Sequence, residues 1–413
     1  MCRAEQERIS GRSWWMSLLF ICTLAVFGVI VVMVALGWKN YGFEFRTNKA
    51  YSALRRRVTG EGQLEGKRVA CIFRGRDASA GSYPEDGLCD FFIYDNITYR
   101  DGKIHSEDGL PVFCRRSRHA RRTLYLAALS PDTVGDPGAL NTTAFARAIR
   151  GTRGVCVLRG LGLFLSFDSG RSLEQSLRNI TRIMRAMKRR LRRVLYLPML
   201  FLGGQFLGLD QPSNRARYSN AVQRVIRTVD IFIAMTHVSA SPKGPCVPQP
   251  TATWNADSFN DSSMPTMSAA LDLIRHVKYD RSRHLMMISV TMAVVSYRGS
   301  NSIASPPTLG GRCTHALNSP YHQGCKPKRA VPNRYSQYET IVFDVNPVTN
   351  ETRSYETVTS LKHKVLATRK EIGNGTIGWA LFDAEQEDSQ GSSCIPVRRP
   401  EPFKRIKLIR RLA

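Results

Sequence analysis

The sequence predicts an α/β fold, a (β/α)8 TIM barrel preceded by one transmembrane helix. Three observations carry this. Eight short apolar runs, rich in β-branched and aromatic residues, recur along the chain after residue 67. Amphipathic stretches of helical period separate them. One long uncharged run stands apart near the N-terminus. Continuous apolar strands with helices between them make a parallel sheet covered on both faces. A doubly wound open sheet gives the same alternation, but eight such strands in roughly 330 residues favour a closed barrel.

Residues 13–38 hold no charge, and Leu18–Leu36 is almost wholly apolar. A helix needs about 20 such residues to cross the hydrocarbon core. Trp14, Trp15 and Trp38 stand where interfacial tryptophans belong. A cleaved signal peptide is the alternative, but its apolar core runs to only about 7–15 residues and ends at small residues. The expected order is a cytosolic N-terminus (1–12), a transmembrane signal anchor (13–38) and a polar, basic stalk (39–66). Flanking charge opposes this orientation: Arg3, Arg8 and Arg12 precede the span, while Lys39, Arg46, Lys49 and Arg55 to Arg57 follow it. Two other signals outweigh it. N-x-S/T glycosylation sites stand at Asn96, Asn141, Asn179, Asn260, Asn350 and Asn374. Eight of the 10 cysteines follow the span, at Cys71, Cys89, Cys114, Cys156, Cys246, Cys313, Cys325 and Cys394. An even number fits an oxidising compartment. The expectation is a single-pass membrane protein whose C-terminal domain is extracellular or lumenal.

The barrel domain is expected over 67–395, with a basic C-terminal tail over 396–413. Its strands are read at Arg68–Arg74, Cys89–Ile97, Thr123–Ser130, Gly160–Asp168, Arg193–Leu202, Val229–Val238, Leu285–Tyr297 and Thr376–Asp383. Helical patterns fall at Ser172–Arg190, Asn214–Thr228, Met267–Val277 and Thr357–Ile372.

Several stretches carry a likeness to a known family. Cys71 on the first strand precedes C-D-F-F-I-Y-D from Cys89. V-D-I-F-I-A-M-T-H begins at Val229, and Y-E-T-V-T-S-L-K-H-K-V begins at Tyr355. G-T-I-G-W-A-L-F-D-A-E-Q-E-D follows from Gly375, and G-S-S-C ends at Cys394. Together these resemble family 18 of the glycoside hydrolases, the chitinases and chitinase-like lectins, from Lys67 to Cys394. The resemblance implies a Cys71–Cys89 disulfide and pairing of Cys394 with Cys313 or Cys325. It implies that Trp379 floors a sugar site, with His237 and Tyr94 beside it; a plain core tryptophan is the other reading of Trp379. It also implies an insertion after the seventh strand. Here that insertion, about Arg298–Asn350, looks shortened, and Y-S-Q-Y-E at Tyr335 resembles part of it.

The fourth strand bears on the chemistry. Active relatives carry D-G-x-x-D-x-D-x-E there. The Glu protonates the glycosidic oxygen, and the Asp two residues before it supports the substrate's own N-acetyl group as nucleophile, an exception to the two-carboxylate scheme. The matching stretch here lies in L-G-L-F-L-S-F-D, Leu161–Asp168, with the motif's last five positions on Phe164–Asp168. Phe164 and Ser166 replace aspartates, and Asp168 replaces the Glu with an acid one methylene shorter. A proton donor displaced by about an ångström can cost about 100-fold in rate. Ser166 cannot offset the positive charge that develops on the cyclised acetamido group. His237 and Val238 replace the family's Tyr-Asp pair on the sixth strand.

Asp132, Asp168, His237, Asp383 and Glu385 lie near strand C-terminal ends, where barrel enzymes keep their chemistry, so rebuilt acid–base work is the alternative. The other reading makes these acids solvated loop residues and His237 a buried strand histidine. No metal, cofactor, nucleotide or serine-hydrolase motif is present. The net charge of +27 clusters at Arg115–Arg122, Arg185–Arg193 and Lys404–Arg411. Outside the cytosol the fitting anions are sulfated glycans and acidic lipids rather than nucleic acid. Solvated helix faces are the plainer account. The expected function is a membrane-anchored chitinase-like protein, catalytically inactive, binding a chitin-type or sulfated glycan or a protein partner of unknown kind. An active glycosidase using Asp168 is the alternative.

Overall fold

The computed structural model describes residues 64, 66, 68–75, 79–105, 109–130, 143–152, 156–167, 173–192, 195, 198–238, 246–255, 265–299, 306–321, 343–346, 349–373, 377–391 and 401–413. The anchor (13–38) and nearly all of the stalk lie outside these. Among the described residues no helix is long and apolar enough to cross a membrane.

Eight parallel strands close on themselves: β1 (Val69–Phe73), β2 (Phe91–Arg100), β4 (Leu124–Leu129), β5 (Gly160–Phe167), β6 (Met199–Phe206), β7 (Ile231–Ala234), β8 (Leu285–Thr291) and β13 (Gly378–Phe382). Closure comes from β1, which pairs with both β13 and β2. A short antiparallel strand, β3 (Lys103–His105), extends β2 as a hairpin. The helices are α1 (Leu110–Ser117), α2 (Thr143–Thr152), α3 (Leu173–Leu191), α4 (Pro212–Val225), α5 (Met267–His276), α6 (Val358–Ile372) and α7 (Lys404–Leu412).

Strand alternation divides the core in two. Ala70, Ile72, Phe91, Ile93, Leu126, Ala128, Phe201, Ile231, Ile233, Met287, Ala380 and Phe382 fill the barrel interior. Their neighbours, such as Cys71, Phe92 and Leu163, pack outward against the helices. In α3 the apolar positions Leu173, Leu177, Ile180, Met184, Met187 and Leu191 recur at helical spacing, so one stripe is buried and the other is solvated. Thr266 caps α5, and Thr357 with Ser360 forms a reciprocal capping box on α6.

Three boundaries differ from the sequence reading. The fifth barrel strand starts at Met199, after Pro198, and runs on through Gly203 and Gly204. Those glycines are breakers by propensity. Here they admit neighbours, since a Cβ at Gly203 would strike the Phe164 ring. The run Leu285–Tyr297 is two strands. β8 ends at Thr291, and β9 (Val294–Arg298) leaves the barrel. It joins a separate antiparallel sheet with β10 (His315–Ser319), β12 (Glu351–Ser354) and β11 (Phe343–Asn346). This is the insertion after the seventh barrel strand. The expected tail is also no tail. Phe403, Ile406, Leu408 and Ile409 bury the apolar stripe of α7 against the barrel. Arg405 is buried too, paired with Glu387 at 2.5 Å and donating to the Glu356 and Met292 carbonyls.

Among the described residues three disulfides are formed: Cys71–Cys89, Cys114–Cys156 and Cys246–Cys313. The first is the expected one. The third ties the loop after β7 to the inserted sheet, so of the two partners expected for Cys394, Cys313 or Cys325, it takes away Cys313. Cys325 and Cys394 lie outside the described residues.

Candidate functional site

The C-terminal ends of the barrel strands form the candidate site. On β5 the inward positions are Gly160, Gly162, Phe164 and Ser166. Phe164 is the largest side chain there, and its ring lies 5.3 Å from Phe201 and 5.0 Å from Phe382. Ser166 is exposed and donates to Gln205 Oε1 at 3.1 Å. Asp168 lies outside the described residues, as do Asp132 and the sequons at Asn141, Asn260 and Asn374.

His237 sits in this mouth but is sealed. Its ring centroid lies 4.1 Å from that of Phe382, tilted by 31°, Nδ1 is 2.7 Å from Ser289 Oγ, and Nε2 finds no partner among the described residues. Burial pushes its pKa down to about 3, with Arg74 adding to the shift and Asp383 opposing it. A neutral imidazole held this way is poorly suited to proton shuttling near neutral pH.

Trp379 and Tyr94 correct the expectation of a sugar floor. Trp379 is only 1% exposed and packs in the layer between barrel and helices, with Leu361, Val365 and Ile406. Tyr94 faces the same layer, its ring 5.3 Å from Phe113. Parity is the reason: on β13 the inward residues are Ala380 and Phe382, so Trp379 points the other way. A strand that is apolar on both faces does not announce which face is which.

The sequence reading treated the acids beyond β13 as solvated or rebuilt groups. Asp383 and Glu385 are buried rather than solvated. Asp383, in the left-handed region at φ 53°, accepts from Thr291 Oγ1 at 2.5 Å and pairs with Arg74 Nε at 3.3 Å. Arg74 also lies 3.8 Å from Asp95. Glu385 Oε1 accepts the Arg74 backbone N–H at 2.9 Å, while Oε2 is buried without a partner among the described residues. Burial, reinforced by Asp383, raises the Glu385 pKa to about 8. Sequence inspection missed this Arg74-centred cluster because its members come from the ends of β1, β2, β8 and β13. Among the described residues no group of His, Cys, Asp and Glu is placed to hold a metal.

Of the expected glycosylation sites within the structure, Asn96 is exposed on β2, and Asn179 and Asn350 are half-buried.

No family model and no curated protein matches the sequence. Solved structures match the fold. An immunomodulatory active chitinase from Trichuris suis superposes with a TM-score of 0.60 at 12% identity, over 84% of this chain and 100% of that one. YKL-39, solved in the presence of chitooligosaccharides, gives 0.60 at 13%, over 84% and 99%. A chitinase-like agglutinin from Robinia pseudoacacia gives 0.57 at 13%, over 83% and 98%. An active chitinase and an agglutinin thus share this architecture, and the mouth residues have to separate catalysis from binding.

Proposed function

We propose that the chain is a divergent member of the family-18 chitinase-like proteins that binds N-acetylglucosamine-type glycan or a protein partner and does not hydrolyse chitin. The observation that carries this is the contact of Phe164, edge-on, and His237, tilted, with the Phe382 ring at the barrel mouth. An aromatic ring fills a position where substrate-assisted hydrolysis needs an acid, and loss of one placed electrostatic stabiliser typically costs about 100- to 1,000-fold. Solved relatives of the same fold obtained with chitooligosaccharides support a glycan as ligand. The exposed polar rim, with Ser166 beside Gln205, is where such a ligand would meet this chain. Membrane anchoring through 13–38 and a non-cytosolic barrel belong to the same proposal, supported by the uncharged run and by the disulfides.

The test is turnover of chromogenic N-acetylglucosamine oligomers by the purified protein, beside a glycan array. The expected result is binding without turnover. Turnover abolished by Asp168→Asn would overturn the inactive reading and establish the glycosidase alternative.

A further inference from the structure

Two outer helices carry a feature that the barrel mouth does not explain. On α3, Arg178, Arg182, Arg185 and Arg189, with Arg192 just past its end, recur at alternating spacings of four and three, so they form one exposed row. Successive side chains climb one turn each, and the row spans about 21 Å at 1.5 Å per residue. Across from it, Arg217 and Arg224 stand two turns apart on α4, and Arg227 follows the helix end. Together the two helices wall a groove of about 1160 Å³. Glu174 is its one acidic lining residue, and it sits at one end, paired with Arg178 at 3.1 Å and Arg224 at 3.4 Å. Lys188 is paired with Asp230 at 3.0 Å.

A row of like charges at these spacings destabilises its own helix. The buried stripe of α3 is complete without it, so packing does not require it. We infer that this groove binds a linear sulfated polysaccharide, with the α3 arginines engaging successive sulfates along the chain. Planar guanidinium groups hold tetrahedral oxyanions through paired hydrogen bonds, which a lysine cannot match. Three observations select this occupant among polyanions. The site is an elongated groove, which fits a chain. The large apolar side chains exposed among the described residues, Val157, Leu317 and Leu366, all lie outside it, so nothing there would insert into a bilayer. Three disulfides fit an oxidising compartment, where sulfated glycans rather than nucleic acids are the abundant polyanions. The groove lies on the barrel flank, so the inference is independent of what the mouth binds.

The experiment uses the full chain in detergent, enzymatically deglycosylated because the Asn179 sequon flanks the row, with immobilised heparin as the probe. Binding is expected to weaken steeply as sodium chloride rises. The triple change Arg185→Gln, Arg189→Gln, Arg192→Gln should lower affinity by about tenfold or more and flatten the salt dependence. The matched change Arg115→Gln, Arg121→Gln, Arg122→Gln, on the other basic cluster, should alter affinity by less than about twofold. Equal losses from the two triples would reduce the effect to net charge and overturn the inference. So would equal affinity for desulfated heparin. Phosphatidylserine vesicles bound as tightly as heparin, and lost in the same α3 variant, would assign the groove to a membrane instead. A second measurement does not depend on the variants folding. Heparin oligosaccharide should slow hydrogen exchange in 173–192 and 212–228 of the unmodified protein, and protection confined to other segments would overturn the site.

Discussion

Phe164 and Glu385 show how single residues set the chemistry of the barrel mouth. Phe164 is half-buried against Phe201 and Phe382, so a carboxylate placed there would lose part of its water. Restoring the acids with Phe164→Asp, Ser166→Asp and Asp168→Glu is therefore expected to lower the melting temperature by several degrees and to yield little turnover. Chitinase-like turnover by the triple variant would show that the rings around position 164 do not prevent a carboxylate there from working. Glu385 offers a pH test. Its folded pKa is raised from 4.5 to about 8, so the folded chain keeps a proton that the unfolded chain releases above pH 4.5. Its contribution to stability is thus lost as pH rises from about 4.5 to about 8, by at most about 1.4 kcal/mol per pH unit. Glu385→Gln keeps the oxygen that accepts from Arg74 and removes the titration. Its gain in melting temperature over the unmodified protein should grow from pH 5 to pH 8, and a pH-independent difference would count against this account. His237 acts on the opposite side. Its folded pKa is pushed down from 6.5 to about 3, so the unfolded chain takes up a proton first and stability falls as pH drops below about 6.5.

At the scale of elements, α7 is the segment whose basic composition conceals a structural role. Arg405 is 1% exposed, with Glu387 and two carbonyls around it and its guanidinium 3.7 Å from the Tyr321 ring. Arg405→Ala should cost about 3–5 kcal/mol, because it leaves Glu387 buried and uncompensated. The paired change Arg405→Met, Glu387→Leu should recover most of that in chemical denaturation. An unchanged denaturation midpoint for Arg405→Ala would mean that the buried Arg405–Glu387 pair contributes nothing to stability. The Cys114–Cys156 bridge joins α1 to the entry of β5 and closes a sequence separation of 42. Loop-closure entropy puts its contribution at about 4 kcal/mol. Cys114→Ala with Cys156→Ala should fall in denaturant midpoint accordingly.

For the whole molecule, the expected topology makes a prediction of its own. Glycosidase treatment of the expressed protein should lower its apparent mass, with Asn96 the exposed acceptor within the barrel. An epitope placed after Ala413 should be reachable only from the non-cytosolic side of sealed vesicles. An unshifted band with a cytosol-facing C-terminus would contradict the membrane topology and leave the disulfides to be explained in a reducing environment.

All eight barrel strands were legible because apolar runs with helical patterns between them admit few other arrangements. The bounds of α3, α5 and α6 were legible within a residue or so, because amphipathic period and caps are local properties. The Cys71–Cys89 bridge followed from the family likeness carried by the flanking residues. Side-chain parity was not legible. Trp379 and Tyr94 lie on strands buried on both faces, so only the closed sheet decides that they meet helices rather than sugar. Nor were the partners of Cys313, Arg405 and Asp383, which stand 67, 18 and 92 residues away in sequence from Cys246, Glu387 and Thr291. The sequence by itself determined the barrel strands, the absence of carboxylates at Phe164 and Ser166, and the basic cluster at Arg185–Arg193. Tertiary structure alone decided that Phe164 packs against Phe201 and Phe382 at the mouth, that Glu385 is buried beside Asp383, and that a second helix faces the row to make a groove. Strands and helices are written in local periodicity, whereas contacts across a closed barrel depend on which residues closure brings together.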